Sequence, residues 1–139
     1  MSNDATDGSD EITSANGSDT VDPGLAIWRE PVRGGFPAPA LFALSGLDRA
    51  RASLEGRSPR PPLSRLVGLQ LMEVGVGKAT FTMPASPWLV SPQGAITVGA
   101  LAILADGPLG CAVQTALPPY TGLTTSELSL RVLRPAQVG

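Results

Sequence analysis

The chain has 139 residues, 42% of them hydrophobic but only 4% aromatic, and a formal net charge of −2; that length favours one domain with an aliphatic core. It contains no histidine and a single cysteine, Cys111. This excludes Ser-His-Asp and Cys-His nucleophilic schemes, an intrachain disulfide, and a zinc site built from nitrogen and sulfur ligands. The charge is uneven: residues 1–22 carry six acids and no base, and the remainder carries ten bases and six acids. A mildly basic body suits ordinary solvation or a phosphate-bearing ligand equally well.

Met1-Ser2-Asn3-Asp4 is polar and acidic, so a secretory leader is not expected there. Residues 1–24 are dominated by Ser, Asp, Gly, Thr and Asn. They have too little apolar surface to offset the entropy of ordering, so they are expected to be a disordered and dispensable acidic tail. Residues 25–60 form the next block. Its first part, 25–40, carries Trp28 and Phe36 among prolines and glycines and reads as an extended segment across a surface or as a plain linker. Residues 41–56 read as a helix, with Leu44, Leu47, Ala50 and Leu54 at spacings of three and four and Gly56 as a stop. Arg49, Arg51, Arg57, Arg60 and Arg65 cluster nearby. Asp48 and Glu55 share that helix and aromatic residues are not interleaved, so a solvated face is expected rather than a nucleic-acid interface.

The third block, 61–139, opens with a short helical turn from Pro62 to about Gly68. Residues 69–74 and 78–83 alternate apolar and polar side chains around the turn Gly75-Val76-Gly77, which predicts a β-hairpin. Residues 85–95 form a loop, with Trp88 placed beneath it. The apolar run from Ile96 to Val113 then has no polar face, the mark of a buried helix. Pro108 lies inside it and predicts a kink. Asp106 is the one charge in that run, and a lone carboxylate there is costly to ionise unless something holds it. It either caps a backbone or meets an arginine, or it is a catalytic group facing a cleft. Cys111 in the same helix reads as a small buried thiol. The apolar run before Asp106 is too short to span a bilayer, and a longer window would bring Asp106, Gly107 and Pro108 to mid-membrane. A soluble, cytoplasmic chain is expected. Residues 123–133 alternate again, with Leu128, Leu130 and Val132 on one face and Glu127, Ser129 and Arg131 on the other, as a strand with one polar face does.

Ser91-Pro92-Gln93-Gly94-Ala95-Ile96-Thr97-Val98-Gly99, with Asp106 nine positions after Thr97, resembles the hotdog-fold acyl-CoA thioesterases of the phenylacetate-degradation type. Their motif runs Asn-Pro-x-Gly-x-Val-His-Gly-Gly, followed by a helix carrying Asp at that spacing. Thr124-Thr125-Ser126-Glu127-Leu128 with Leu133-Arg134-Pro135 resembles the strand after that helix. Gly56-Arg57, Pro61-Pro62-Leu63 and Leu66-Val67-Gly68 resemble the lead-in. The resemblance covers roughly residues 46–136.

It implies an α+β hotdog fold, an antiparallel sheet of about five or six strands wrapped round one long helix, and an active site formed between two protomers, hence a homodimer. It implies hydrolysis of an acyl-CoA thioester without a cofactor. Asp106 would act as general base or nucleophile, the amides of Val98 and Gly99 as the oxyanion hole, and the Thr125 hydroxyl would orient water or substrate. Ser91 and Thr97 stand where the family has Asn and His, and Val98 stands where it has its first Gly. Only three strands are visible before Gly139, so the partial domain is expected to lack its last strands and to associate through its open edge rather than persist as a monomer. The alternative is a non-catalytic hotdog module that binds acyl groups or pairs with another hotdog subunit. A third reading, a structural or membrane-associated helical fragment, is the least favoured.

Overall fold

The computed structural model describes residues 31–138. The expectations for the acidic tail 1–24 and for Trp28 lie outside the described residues. Val32–Gly139 forms one compact unit. The described residues are α+β, with a two-stranded antiparallel sheet and one long helix.

The first helix, α1 (Gly46–Leu54), begins later than its leucine spacing predicts. Ser45 is the reason. It holds an extended backbone, its Oγ accepts from the Asp48 amide at 3.2 Å, and it donates to Asp48 Oδ2 at 2.7 Å. An N-cap this well satisfied fixes the start of a helix. Residues ahead of it form instead a 3-10 turn, Pro39–Ala43. Past the end, Gly56 has φ +74, which only glycine adopts freely. The short α2 (Pro62–Val67) starts on a proline, whose missing N–H costs nothing there, and closes on Gly68 at φ +72.

The hairpin forms as its alternation predicts. β1 (Gln70–Gly75) pairs with β2 (Lys78–Thr82) from Gln70↔Thr82 to Gly75↔Lys78, with a bulge between Leu71 and Glu73. The third helix, α3 (Val98–Thr115), runs 18 residues unbroken through Pro108. Gly107 lets it approach the hairpin closely: a Cβ there would lie 3.0 Å from Leu69 Cδ2 and 3.6 Å from the Phe81 ring.

The carboxyl end of α3 gathers the rest of the unit. Thr115 Oγ1 accepts from the Gly77 amide at 2.7 Å and donates to the Ala112 carbonyl at 2.6 Å, tying the hairpin turn to the helix. The Gly46 amide donates to Leu117 O at 2.9 Å. The Arg49 guanidinium donates to the carbonyls of Phe42, Leu44 and Thr121 and stands 5.1 Å from the Phe42 ring centre. One charged side chain thereby fastens the 3-10 turn, α1 and the chain leaving α3. Arg51 and Arg57 are engaged as well, in exposed pairs with Asp48 and Glu55, which add little to stability.

Three expectations change. The long helix is not buried: only Ala100 and Thr115 within it are, because α1 and a two-stranded hairpin cover one side. By length and composition α3 would suffice to cross a membrane. Residues 123–133 form no strand and join no ladder. Alternation prepares a strand, yet a strand exists only where a neighbour supplies hydrogen bonds, and among the described residues none does. Trp88 does not pack under its loop; it projects from the 3-10 turn Pro87–Leu89 and is 90% exposed.

The contact at Gly46 yields a sharp expectation. A Cβ there would fall 1.7 Å from Gln114 O, a backbone atom that cannot swing aside. Gly46→Ala should lower unfolding free energy by about 2 kcal/mol or more, the range for forced overpacking, despite alanine's better helix propensity. Urea titration reads this directly, and an unchanged or raised midpoint would contradict the close seating of α1 on α3.

Candidate active site

Asp106 lies just past the middle of α3, and Thr125 on the segment that returns alongside the helix. Thr125 Oγ1 donates to Asp106 Oδ1 at 2.6 Å across 19 positions of sequence. A hydroxyl–carboxylate bond this short is charge-assisted and among the stronger side-chain bonds. Both residues line an open hollow of about 360 Å³ together with Ala102, Ile103, Ser126, Glu127 and Leu128. Its walls are mainly apolar, with two carboxylates and two hydroxyls at the rim. Asp106 is exposed and makes no other hydrogen bond among the described residues. Its Oδ2 is therefore open to a water molecule or a substrate proton.

The other predicted site residues gather at a different place. Thr97 is the N-cap of α3: its Oγ1 accepts from the Ala100 amide at 3.3 Å, and its own amide donates to Leu89 O at 2.8 Å. A hydroxyl committed to capping is a structural group. The amides of Val98 and Gly99 come next and have no hydrogen-bond partner among the described residues, as the first amides of a helix do not. Both residues are exposed, and a Cβ at Gly99 would meet nothing within 4 Å. These two donors carry the positive end of the helix dipole and face open space. Ser91 sits in the preceding turn, its amide bonded to Ala95 O at 2.7 Å and its carbonyl to the Gly94 amide at 2.9 Å, with Gly94 at φ +82.

The structure thus joins Asp106 to Thr125 and joins Ser91, Thr97, Val98 and Gly99 to one another, but it keeps the two groups apart. Eight residues of α-helix separate Val98 from Asp106, about 12 Å along the axis. Within one chain, no carbonyl group can meet both the helix-end amides and the carboxylate.

Two features were missed from sequence. Glu127 joins the hollow; it lies two positions after Thr125, on the same face of the predicted strand, and period-two spacing could have found it. The second is a cavity of about 700 Å³ behind α3, lined by Phe42, Ser58, Leu69, Phe81, Gly107 and Cys111 among others. Ser58 is buried there, and its Oγ has no hydrogen-bond partner. Nothing local in the sequence marks that position. Among the described residues no three His, Cys, Asp or Glu side chains stand together as metal ligands.

In comparisons with known proteins, the chain matches no family model, no curated protein and no solved structure.

Cys111 gives a direct check on the packing around the second cavity. Burial pushes its thiol above the ordinary cysteine value, because the thiolate would lose water. At pH 8 the folded chain should therefore be alkylated by iodoacetamide several-fold more slowly than the urea-unfolded chain, with its reactivity rising at higher pH than a free thiol's. Equal rates in the two states would place Cys111 in open solvent.

Proposed function

We propose that this chain is a hotdog-fold thioesterase of the phenylacetate-degradation type, which hydrolyses an acyl-CoA thioester to the free acid and coenzyme A, and that it works as a soluble, cytoplasmic homodimer. The observation that carries the reading is the Thr125–Asp106 hydrogen bond. It couples the helix carboxylate to the strand hydroxyl that the family resemblance pairs in function, and it does so at the rim of an open hollow.

In this reading Thr125 holds Oδ1, and Oδ2 accepts a proton from water. The water oxygen bonds to the acyl carbon, and the carbonyl electrons move to oxygen, where unpaired helix-end amides stabilise the charge. The carbon–sulfur bond then breaks. The departing thiolate takes up the proton that Asp106 received, leaving a carboxylic acid and a thiol. Val98 and Gly99 supply the amides. The separation of about 12 Å along the helix means they serve the Asp106 of the other protomer, so each site is composite. A soluble chain is supported by the packing of α3 against α1 and the hairpin and by the hydrogen-bonded carboxylate near the middle of that helix. The second reading, a non-catalytic pairing module, is favoured by Thr97 being spent as a cap where the family has a polar group beside the carbonyl.

Asp106→Asn should abolish most hydrolysis of an acyl-CoA panel while leaving the fold and oligomer unchanged; wild-type turnover would remove the carboxylate from the mechanism. Val98→Pro keeps the first turn, where proline is tolerated, and deletes one donor, so it too should be inactive. Mixing the two dead variants under exchange conditions should restore about a quarter of wild-type activity, since half of the random dimers carry one intact composite site. No recovery would show that each site belongs to one chain.

A further inference from the structure

We propose that the cavity behind α3 binds a free monocarboxylic acid with an apolar body, whose carboxylate accepts a hydrogen bond from Ser58 beside the charge of Arg49. The inference goes beyond the hydrolysis proposed above and does not depend on it.

The cavity holds about 700 Å³, within the range of pockets that enclose small organic ligands. Leu69, Leu71 and Phe81 of the hairpin region, with Gly107 and Cys111 of α3, make its apolar walls. It shares no lining residue with the hollow of Asp106. On α3 the two sets of positions lie roughly a quarter turn apart.

The remaining wall is polar. Arg49 comes from α1, and Ser58 is folded back on the end of that helix, its amide donating to Ala52 O at 3.2 Å. Ser58 is 7% exposed, and its Oγ has no hydrogen-bond partner among the described residues. A buried hydroxyl left unpaired is costly, and a ligand group bonded to it removes that penalty. Ser53 lines the same wall, but its hydroxyl already donates to the Arg49 carbonyl at 3.3 Å.

Arg49 decides the charge of the ligand. Among the described residues its guanidinium donates to neutral carbonyls, those of Phe42, Leu44 and Thr121. The acids of its own helix region are engaged elsewhere: Asp48 with Ser45 and Arg51, Glu55 with Arg57. A half-buried positive charge thus borders an apolar cavity with no carboxylate against it. Such a charge favours an anion there and disfavours a cation. One carboxylate supplies both an acceptor for Ser58 and a counter-charge for Arg49, while its apolar body fills the space between the hairpin and α3. An uncharged ester or thioester offers only the acceptor, so the cavity selects the free acid.

Octanoate, octan-1-ol and octyltrimethylammonium share an apolar body and differ in charge, and the full 139-residue chain can be tested with each. Cys111 lines the cavity and reports occupancy through its rate of alkylation by iodoacetamide at pH 8. Octanoate should slow that rate several-fold and saturably. Octan-1-ol should need at least about tenfold more for half-protection, and the quaternary ammonium should give none. Ser58→Ala should raise the octanoate half-protection concentration about tenfold without lowering the melting temperature of the free chain, since that hydroxyl has no bond to lose. Asp106→Asn should leave half-protection unchanged whether or not the chain hydrolyses thioesters, which separates failure here from failure of the catalytic reading. Equal protection by octan-1-ol, or a Ser58→Ala chain that is protected like wild type or melts lower, overturns the carboxylate site. Lost protection in Asp106→Asn overturns it too, by moving the acid to the hollow. No protection by octanoate overturns the cavity as a ligand site.

Discussion

The carboxyl end of α3 is the constraint on which the other elements depend. Three separate parts of the chain meet there through backbone groups: the hairpin turn through Gly77, the start of α1 through Gly46, and the exit from α3 through Thr121, held by Arg49. The contacts need close approach, and residue choice at a few positions permits it. Gly46 has no Cβ to strike Gln114 O, and Thr115 is small enough to be buried while offering both a donor and an acceptor. Because Arg49 fixes Thr121, the returning chain reaches Thr125 at a set height beside Asp106. The geometry of the candidate site is therefore decided by contacts that lie well away from it.

Local features of the sequence translated faithfully into structure. The hairpin alternation, the glycines at Gly56, Gly68 and Gly77, and the apolar run of α3 each act within a few residues, and each appears where its chemistry requires. Features that need a distant partner did not read out the same way. Alternation over 123–133 states which side chains would share a face; it cannot state that a neighbour is present to hydrogen-bond. The apolar circumference of α3 likewise records a demand for cover, and α1 with the hairpin meets it on one side only. Helix α1 starts later than leucine spacing implies because that spacing continues past Ser45, whose cap is the stronger signal.

The candidate site was legible in part. Asp106 stands out in the sequence as the single charge in an apolar run, but the burial expected of it is absent: α3 is covered on one side only, and Asp106 is exposed. Its link to Thr125 came through family resemblance, since 19 residues of sequence separate them. Glu127 was accessible to simple periodicity but was not drawn in. Arg49 was beyond reach: its partners are carbonyl oxygens, which every residue carries, so no pattern of side chains announces the clamp. Thr97 shows the converse. Motif position suggested a role at the substrate, while the local chemistry of a helix start gave its hydroxyl another occupation.

The placement of Trp88 has an optical consequence. An indole already 90% in water has little further solvation to gain when the chain unfolds, so its emission stays near the long-wavelength limit in both states. Its amphipathic ring responds strongly to being covered. Trp88 is therefore a weak witness of unfolding and a sensitive one of any surface that settles over the corner before α3.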